Sequence, residues 1–198
     1  MEDKKVKRSK SYLAILNAGK TLFWKHGIGR VTVEEICQVA GVSKMTFYRN
    51  FGNKIEVAEK VLVKWHEEAT TDYRKIMDSQ MPFNEKIHRI VQLEHDWSQD
   101  LSKEFVNDIY GKVDPNLKNI LEKFQQASMS NFREDLKLAQ EKGEIRKDLK
   151  LDFVIYMLNG LNEKMSDKNL IDMYDSPQEL AVELANFIFY GIMPKTNQ

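Results

Sequence analysis

Long apolar runs and regular two-residue alternation are both missing from this sequence. No stretch approaches the roughly eighteen consecutive apolar residues that a membrane-spanning helix needs, although 42% of the residues are hydrophobic. Apolar residues recur instead at spacings of three and four, which is the period of amphipathic helices. Only four prolines and nine glycines interrupt this pattern. We therefore predict an all-α protein that does not enter a membrane.

Cysteine is almost absent as well, because Cys37 is the single one. One cysteine excludes an intramolecular disulfide and fits a reducing compartment. The first ten residues, MEDKKVKRSK, are charged and no apolar segment follows them, so no signal peptide is expected. We expect a cytoplasmic protein. Cys37 falls on the inner face of a predicted helix, where a small buried side chain is favoured over a redox sensor.

Net charge is zero over the whole chain, but it is unevenly distributed. Residues 1–60 contain 12 basic and 6 acidic side chains, a net charge of +6, which leaves −6 for the remainder. Such asymmetry favours a polyanion-binding N-terminal part and a C-terminal part with another role. Charge alone does not separate this reading from a merely solvated basic tail. The same choice is open for the most N-terminal basic residues, which are Lys4, Lys5, Lys7, Arg8 and Lys10.

The segment from about Lys10 to Val63 is predicted to form four helices. The first has one apolar face made of Tyr12, Ile15, Leu16, Leu22 and Phe23. The next three are predicted to begin after the capping residues Thr32, Ser43 and Asn53. Glu35 and Glu56 follow two of these caps by three residues, as in a capping box. Gly41 separates the second helix from the third, where the chain is expected to need a positive φ.

A short helix, the turn Ala40-Gly41-Val42 and a second short helix form a helix-turn-helix pattern. In such a motif the second helix enters the major groove of DNA by its N-terminal end. Val42 is expected to pack between the two helices, and Phe47 and Phe51 to lie in the core. The candidate DNA-binding residues are Thr32, Ser43, Lys44, Met45, Thr46, Tyr48, Arg49, Asn50 and Lys54.

The chemistry of these side chains suits a nucleic-acid surface. Lys44 can reach a phosphate or a guanine, and Thr46 can reach a phosphate or a thymine methyl group. Tyr48 carries a phenol that can donate to a phosphate oxygen, and Lys54 supplies another cation for the backbone. Asn50 can reach either a base edge or a phosphate.

Residues 32–54, TVEEICQVAGVSKMTFYRNFGNK, resemble the tetracycline-repressor (TetR) family. The resemblance is carried by the Ala-Gly-Val-Ser turn, the Thr-Phe-Tyr step, Phe51 and the Asn-Lys start of the fourth helix. It covers about residues 10–63, a quarter of the chain. Met45 departs from the small residue that the family usually has there, so no operator sequence is transferred from the resemblance.

The resemblance implies an all-α homodimer in which a small ligand, bound by a variable C-terminal domain, releases DNA. It implies a helix-turn-helix domain over residues 1–54 and a ligand-binding and dimerisation domain over residues 55–198. The motif Gly143-Glu144-Ile145-Arg146 resembles the loop that precedes the first dimerisation helix. The helices Leu151–Leu161 and Pro177–Phe189 would then form a four-helix bundle with the partner. The leading hypothesis is therefore a repressor that reads a pseudo-palindromic operator as a homodimer. No cofactor is expected.

Aromatic and methionine side chains of the C-terminal part suit an apolar or aromatic ligand. The candidates for such a cavity are Trp97, Phe105, Tyr110, Phe124, Phe132, Tyr156 and Met157. Each of them alone is more often a core residue. Their number raises the chance that some line a cavity.

Two other functions are left open by the residues. Glu85 and His88 form one Glu-x-x-His pattern, which di-iron helical bundles use in two copies with further glutamates. Because a second copy is absent, an enzyme or a metal carrier is the weaker hypothesis, and no metal site is predicted. The cluster Glu94-His95-Asp96 also fails as a metal site, since adjacent helical residues point in different directions. A DNA-binding scaffold that dimerises without any ligand is the third possibility.

Overall fold

The computed structural model describes residues 10–98, 100–111, 114–164 and 167–192, and these residues form helices and connecting turns without a strand. The helices are α1 (Lys10–His26), α2 (Val33–Ala40), α3 (Lys44–Asn50), α4 (Lys54–Met77), α5 (Phe83–Ser98), α6 (Lys103–Val106), α7 (Pro115–Glu141), α8 (Leu151–Lys164), α9 (Lys168–Ile171) and α10 (Pro177–Ile192). A five-residue π-helix, Asn107–Gly111, continues α6 and is called the π segment below. The all-α prediction is confirmed. The basic residues Lys4, Lys5, Lys7 and Arg8 lie outside the described residues.

The predicted helix starts in the N-terminal part are confirmed by their caps. Thr32 and Glu35 form a complete capping box, and the Ser43 hydroxyl accepts a hydrogen bond from the backbone N–H of Thr46. The Asn53 side chain accepts from the backbone N–H of Glu56. The Glu56 carboxylate returns to the N–H of Gly52 rather than to that of Asn53, so this second box is offset by one residue.

Helices α1 to α3 close around a first hydrophobic cluster. Its innermost side chains, Ile15, Phe23, Ile36 and Phe47, have no accessible surface. Cys37 is 6% exposed and burial raises the pKa of its thiol, which agrees with its prediction as a buried side chain. Side chains beyond α4 also join this cluster, namely Phe105, Ile109 and Leu117. The N-terminal helices therefore share their core with the C-terminal part.

A second hydrophobic cluster lies at the other end of α4, away from the first. It contains Met77 of α4, Phe83 and Ile87 of α5, and Phe132 and Leu136 of α7. Helix α4 is 24 residues long and contributes to both clusters, from Val57 to Met77. At its end the buried Lys86 donates a hydrogen bond of 2.6 Å to the carbonyl of Met77, where the helix dipole favours a cation.

One buried polar group joins α4 to α7 inside the second cluster. Asp135 is 7% exposed and accepts a 2.6 Å hydrogen bond from the Tyr73 hydroxyl. The same carboxylate oxygen forms an ion pair with Arg74. Burial, and after it the hydrogen bond to Asp135, raises the pKa of Tyr73 above its ordinary value. The two helices are thus held together by a specific network as well as by apolar packing.

The loop between α7 and α8 is organised by side chains of its own segment. Gly143 has a φ of 76°, and Ile145 is 1% exposed within the second cluster. The Gln140 amide donates to the carbonyls of Arg146 and Leu149, and Arg146 donates to the carbonyl of Gly191. The loop therefore fixes the start of α8 against the end of α10.

Helices α8 and α10 leave large apolar side chains uncovered. Phe153, Tyr156 and Met157 share one face of α8, and Phe187 and Tyr190 share one face of α10. Four of these five side chains are 60–78% exposed, and Met157 is 40% exposed. We call these five residues the α8/α10 patch. Along Leu151–Leu161, Val154 is the one described side chain that this single chain buries.

Candidate nucleic-acid interface

The turn between α2 and α3 has the conformation that its sequence predicts. Gly41 ends α2 with φ 64° and ψ 35°, in the left-handed region that glycine adopts without strain. Its N–H and that of Val42 bond to the carbonyls of Gln38 and Cys37. Val42 packs against the first cluster, as expected. The turn thus fixes the direction in which α3 leaves α2.

Helix α3 turns one face inward and presents the other to solvent. Phe47 is fully buried and Phe51 is 2% exposed, so both predicted core positions are confirmed. On the outer face Met45 is 81% and Tyr48 57% exposed. Lys44 and Arg49 are exposed beside them, whereas Thr46 and Asn50 are half-buried. Four exposed side chains on two turns, two of them basic, form a surface that can be inserted into a groove.

Several predicted contact residues already have partners within the protein. Lys44 forms an ion pair with Glu34 of α2, and this hydrogen bond lowers the pKa of the Glu34 carboxyl. Both side chains are more than half exposed, so the pair is easily exchanged for a phosphate. The Asn50 amide donates a 2.7 Å hydrogen bond to the carbonyl of Thr46.

Lys54 and Thr32 have structural roles at the base of the module. The Lys54 ammonium donates to the carbonyls of Gly29 and Val31, each at 2.7 Å, and so fixes the loop between α1 and α2. The Thr32 hydroxyl donates a hydrogen bond to the Glu35 carboxylate and accepts one from the backbone N–H of Glu35. Contact of either residue with DNA remains a prediction, and each of them also supports the module itself.

A feature that the sequence analysis missed joins this module to the C-terminal part. Asp108 of the π segment accepts a 2.9 Å hydrogen bond from the N–H of Gly29, just after α1. The N–H of Ser102 donates to the carbonyl of Trp24 at 2.9 Å beside it. We call these two contacts the α1 junction. No helix was predicted between Trp97 and Pro115, although Ser102 caps α6 by accepting from the N–H of Phe105.

Replacing Gly27 with alanine is expected to disturb the α1 junction. Gly27 has a φ of 80°, and a Cβ there would lie 2.7 Å from the Asp108 carboxylate. In Gly41→Ala the positive φ is the one source of strain, because nothing lies within 4 Å of the added Cβ. We expect Gly41→Ala to cost about 1 kcal/mol and Gly27→Ala about 2–3 kcal/mol, since the latter also breaks a hydrogen bond. Urea unfolding measures both, and equal costs would contradict the close approach to Asp108.

The seven predicted ligand-cavity residues are not brought together. Phe105 is 1% exposed and packs against Trp24, inside the first cluster. Phe132 packs against Phe189 in the second cluster. Tyr156 and Met157 lie on the α8/α10 patch. The remaining three are Tyr110, which is 42% exposed, the half-buried Phe124, and Trp97, which lines an open groove of about 420 Å³ beside α4.

The described part of the chain contains no group of three or more metal-ligating side chains. Within the same residues, no helix is long and apolar enough to cross a membrane.

Comparisons with known proteins agree with the geometry of the module. Residues 15–61 match the family model of bacterial regulatory proteins, tetR family. This match covers most of α1, all of α2 and α3, and the first part of α4, including the turn at Gly41. The N-terminal module is thus the helix-turn-helix domain found in TetR-family transcriptional regulators, and the chain resembles DNA-binding proteins of this type.

Relatives are similar over nearly the whole chain. An uncharacterised HTH-type transcriptional regulator of Bacillus subtilis, YdgC, is 25% identical over 98% of both chains. The solved structure of the regulator FadR of fatty acid degradation from Bacillus halodurans aligns with a TM-score of 0.73, at 18% identity, over 94% of this chain and 98% of that one. A transcriptional regulator from Saccharomonospora viridis, solved with choline, aligns with a TM-score of 0.77, at 16% identity, over 95% and 100%. The TetR-like arrangement therefore extends through the C-terminal helices.

Proposed function

We propose that this TetR-like protein is a ligand-responsive repressor that binds operator DNA as a homodimer and releases it when a small molecule binds. The exposed face of α3 is the observation that carries the proposal. Thr32, Ser43, Lys44, Met45, Thr46, Tyr48, Arg49, Asn50 and Lys54 remain the proposed DNA-binding residues. The proposed domains are residues 1–54 and 55–198, and the proposed location is the cytoplasm.

Each exposed side chain of α3 has a role that fits its chemistry. Lys44 exchanges Glu34 for a phosphate, and Tyr48 donates its phenol to a second phosphate. Arg49 reaches a phosphate or a guanine edge. Met45, the most exposed of these side chains, meets base edges with an apolar surface and favours a thymine methyl group. The phosphate contacts supply affinity, while Met45 and Arg49 supply sequence preference.

The proposed homodimer forms through the α8/α10 patch, where two helices from each chain build a four-helix bundle. Large apolar side chains that are left in solvent by a single chain are typical of such interfaces. Two-fold symmetry then presents two α3 helices at a spacing of about 34–36 Å or a little more, which matches a pseudo-palindromic operator.

Two elements of the structure would transmit the effect of a bound ligand to the DNA-binding helices. Helix α4 begins in the helix-turn-helix module and ends in the second cluster, where Asp135 holds it to α7. The π segment binds Gly29 through Asp108 and carries Tyr110 two residues later. A ligand that shifts either element changes the spacing of the α3 helices. It needs only a differential affinity of about 1–3 kcal/mol for the two states.

The proposal is tested first by the salt dependence of DNA binding. An operator fragment is selected from random duplexes, and its affinity is measured between about 50 and 200 mM salt. Lys44→Gln is expected to reduce the slope of log affinity against log salt by about one, because it removes one phosphate contact. Affinity itself falls at every salt concentration.

Lys118→Gln is the matched control. Lys118 is exposed on α7 and pairs with Glu122, so this variant loses the same charge and a similar surface ion pair. Its salt slope should equal that of the unmodified protein. Equal slopes for Lys44→Gln and Lys118→Gln would show that Lys44 does not contact DNA. An affinity that does not depend on salt would contradict DNA binding by the whole module.

A further inference from the structure

Glu34 is an acidic side chain beside the exposed face of α3, and the DNA contacts proposed above do not use it. It lies in the first turn of α2 and forms an ion pair with Lys44, the first residue of α3. Lys44 is also within electrostatic reach of Tyr48, one turn further along α3. The Glu34 carboxylate therefore lies at the N-terminal end of α3, which is the end that a helix-turn-helix protein inserts into the major groove.

The charge and the position of this carboxylate are fixed locally. The hydrogen bond from Lys44, and after it one from its own backbone N–H, lowers the pKa of the Glu34 carboxyl, so the group is ionised at neutral pH. The N-terminal end of α2 favours a negative charge there. The neighbouring Glu35 is committed to the capping box with Thr32, and residues 32–54 contain no third acidic side chain. Glu34 is thus the one carboxylate of the helix-turn-helix that is available to DNA.

DNA binding changes the partner of Glu34. In the proposed complex Lys44 leaves it for a phosphate, and this exchange is feasible because both side chains are more than half exposed. Among the described residues, Lys44 is the one cation that acts on the charge of Glu34. An ionised carboxylate only accepts hydrogen bonds, so it gains nothing from phosphate oxygens or from acceptor groups of the bases. It needs a donor, and the donors in the major groove are the amino groups of cytosine and adenine.

The two amino groups are not equivalent for a carboxylate. Adenine presents its N6 amino group next to N7, an acceptor that repels a carboxylate, whereas cytosine presents its N4 amino group without an acceptor of its own beside it. Guanine and thymine present the acceptors O6 and O4. A carboxylate at the N-terminal end of α3 therefore favours cytosine over the other three bases.

We propose that Glu34 is a specificity-determining residue, whose carboxylate accepts a hydrogen bond from the N4 amino group of one cytosine in each operator half-site while Lys44 binds a phosphate. This inference rests on the proposed DNA-binding role of the exposed face of α3. It adds a base contact from α2 to those of Met45 and Arg49. Where DNA offers an acceptor instead, the same carboxylate opposes binding, and such an unfavourable contact contributes to specificity.

The test compares all four base pairs at every position of the selected operator fragment, with the full-length protein and with Glu34→Gln. The unmodified protein should prefer cytosine at one position of each half-site and bind about tenfold more weakly when thymine stands there. Glu34→Gln should lose this preference and favour adenine at that position, because a glutamine amide pairs with N6 and N7 of adenine. Preferences at the other positions should not change.

Glu122→Gln is the matched control. Glu122 is exposed on α7 and pairs with Lys118, so this variant loses the same charge and frees an exposed lysine outside the module. It should keep the preference for cytosine. Glu34→Ala is a second variant, which should lose that preference without gaining one for adenine. Urea unfolding verifies that each variant is folded, and little change is expected because Glu34 is exposed.

Lys44→Gln separates this inference from the proposed function. It should keep the preference for cytosine, because Glu34 is intact, while it reduces the salt slope. An equal gain in affinity at all four bases in Glu34→Gln would show that Glu34 acts only through its charge and would overturn the inference. An unchanged cytosine preference in that variant, or none in the unmodified protein, would overturn it as well.

In each of these cases a reduced salt slope for Lys44→Gln would leave DNA binding by α3 standing. Failure to select any preferred duplex would reject the proposed function, and the inference with it. The two proposals therefore fail on different measurements.

Discussion

Asp135→Ala is expected to lower the free energy of unfolding by about 3–5 kcal/mol. Asp135 is 7% exposed and is the shared acceptor of the Tyr73 hydroxyl and the Arg74 guanidinium. Its removal leaves the desolvated Tyr73 hydroxyl without an acceptor, and it leaves the half-buried Arg74 with only the longer ion pair to Asp78, at 3.8 Å. The Nε atom of Arg74 is already buried without a hydrogen bond, so water does not readily replace the lost carboxylate. Denaturant unfolding measures the loss, at one protomer concentration for all variants because the proposed dimer would add to apparent stability.

Asp152→Ala is the matched control for this experiment. Arg133 of α7 bonds to Asp152 of α8 at 3.0 Å, so this pair also joins two helices through an arginine and an aspartate. The Asp152 side chain is 86% exposed, and exposed pairs contribute only about 0–1 kcal/mol. A cost for Asp135→Ala no larger than that for Asp152→Ala would show that burial does not strengthen the network. Tyr73→Phe, which keeps the ion pair, should fall between the two.

The N-terminal module could be predicted from sequence because its determinants are local. A cap, a glycine with positive φ and an apolar residue every three or four positions each act within one or two turns. Thr32, Gly41 and Ser43 therefore identify their helix ends without knowledge of the rest of the chain. The capping box at Asn53 shows the limit of such prediction, because the Glu56 carboxylate accepts from the N–H of Gly52 and not from that of Asn53. Small differences in backbone geometry decide between two neighbouring N–H groups.

The contacts that join the two parts of the chain could not be predicted, because their partners are far apart in sequence. Asp108 meets Gly29 across 79 residues, and Asp135 meets Tyr73 across 62. A polar residue in a helical sequence carries no local sign of such a partner.

Phe187→Glu combined with Tyr190→Glu is expected to make the protein monomeric at micromolar concentration. Both side chains are 78% exposed on α10 in the single chain and would meet the partner's α8/α10 patch. A carboxylate at that position must either lose its water or hold the two chains apart, because an apolar surface offers it no partner. Sedimentation equilibrium measures the change in association state. Leu138→Glu on α7 is the control, since Leu138 is 52% exposed and lies outside the patch.

Loss of the dimer should reduce operator affinity by about 10²–10⁴-fold, although α3 is untouched. Two recognition helices on one rigid dimer bind the second half-site as an intramolecular event, and a monomer loses this advantage. The double variant should therefore bind a single half-site as tightly as the unmodified protein does. Its affinity for the full operator should fall to its affinity for the single half-site. A protein that stays dimeric after both substitutions would exclude the patch as the interface. One that becomes monomeric yet binds the operator with unchanged affinity would instead show that DNA is read by a single α3 helix.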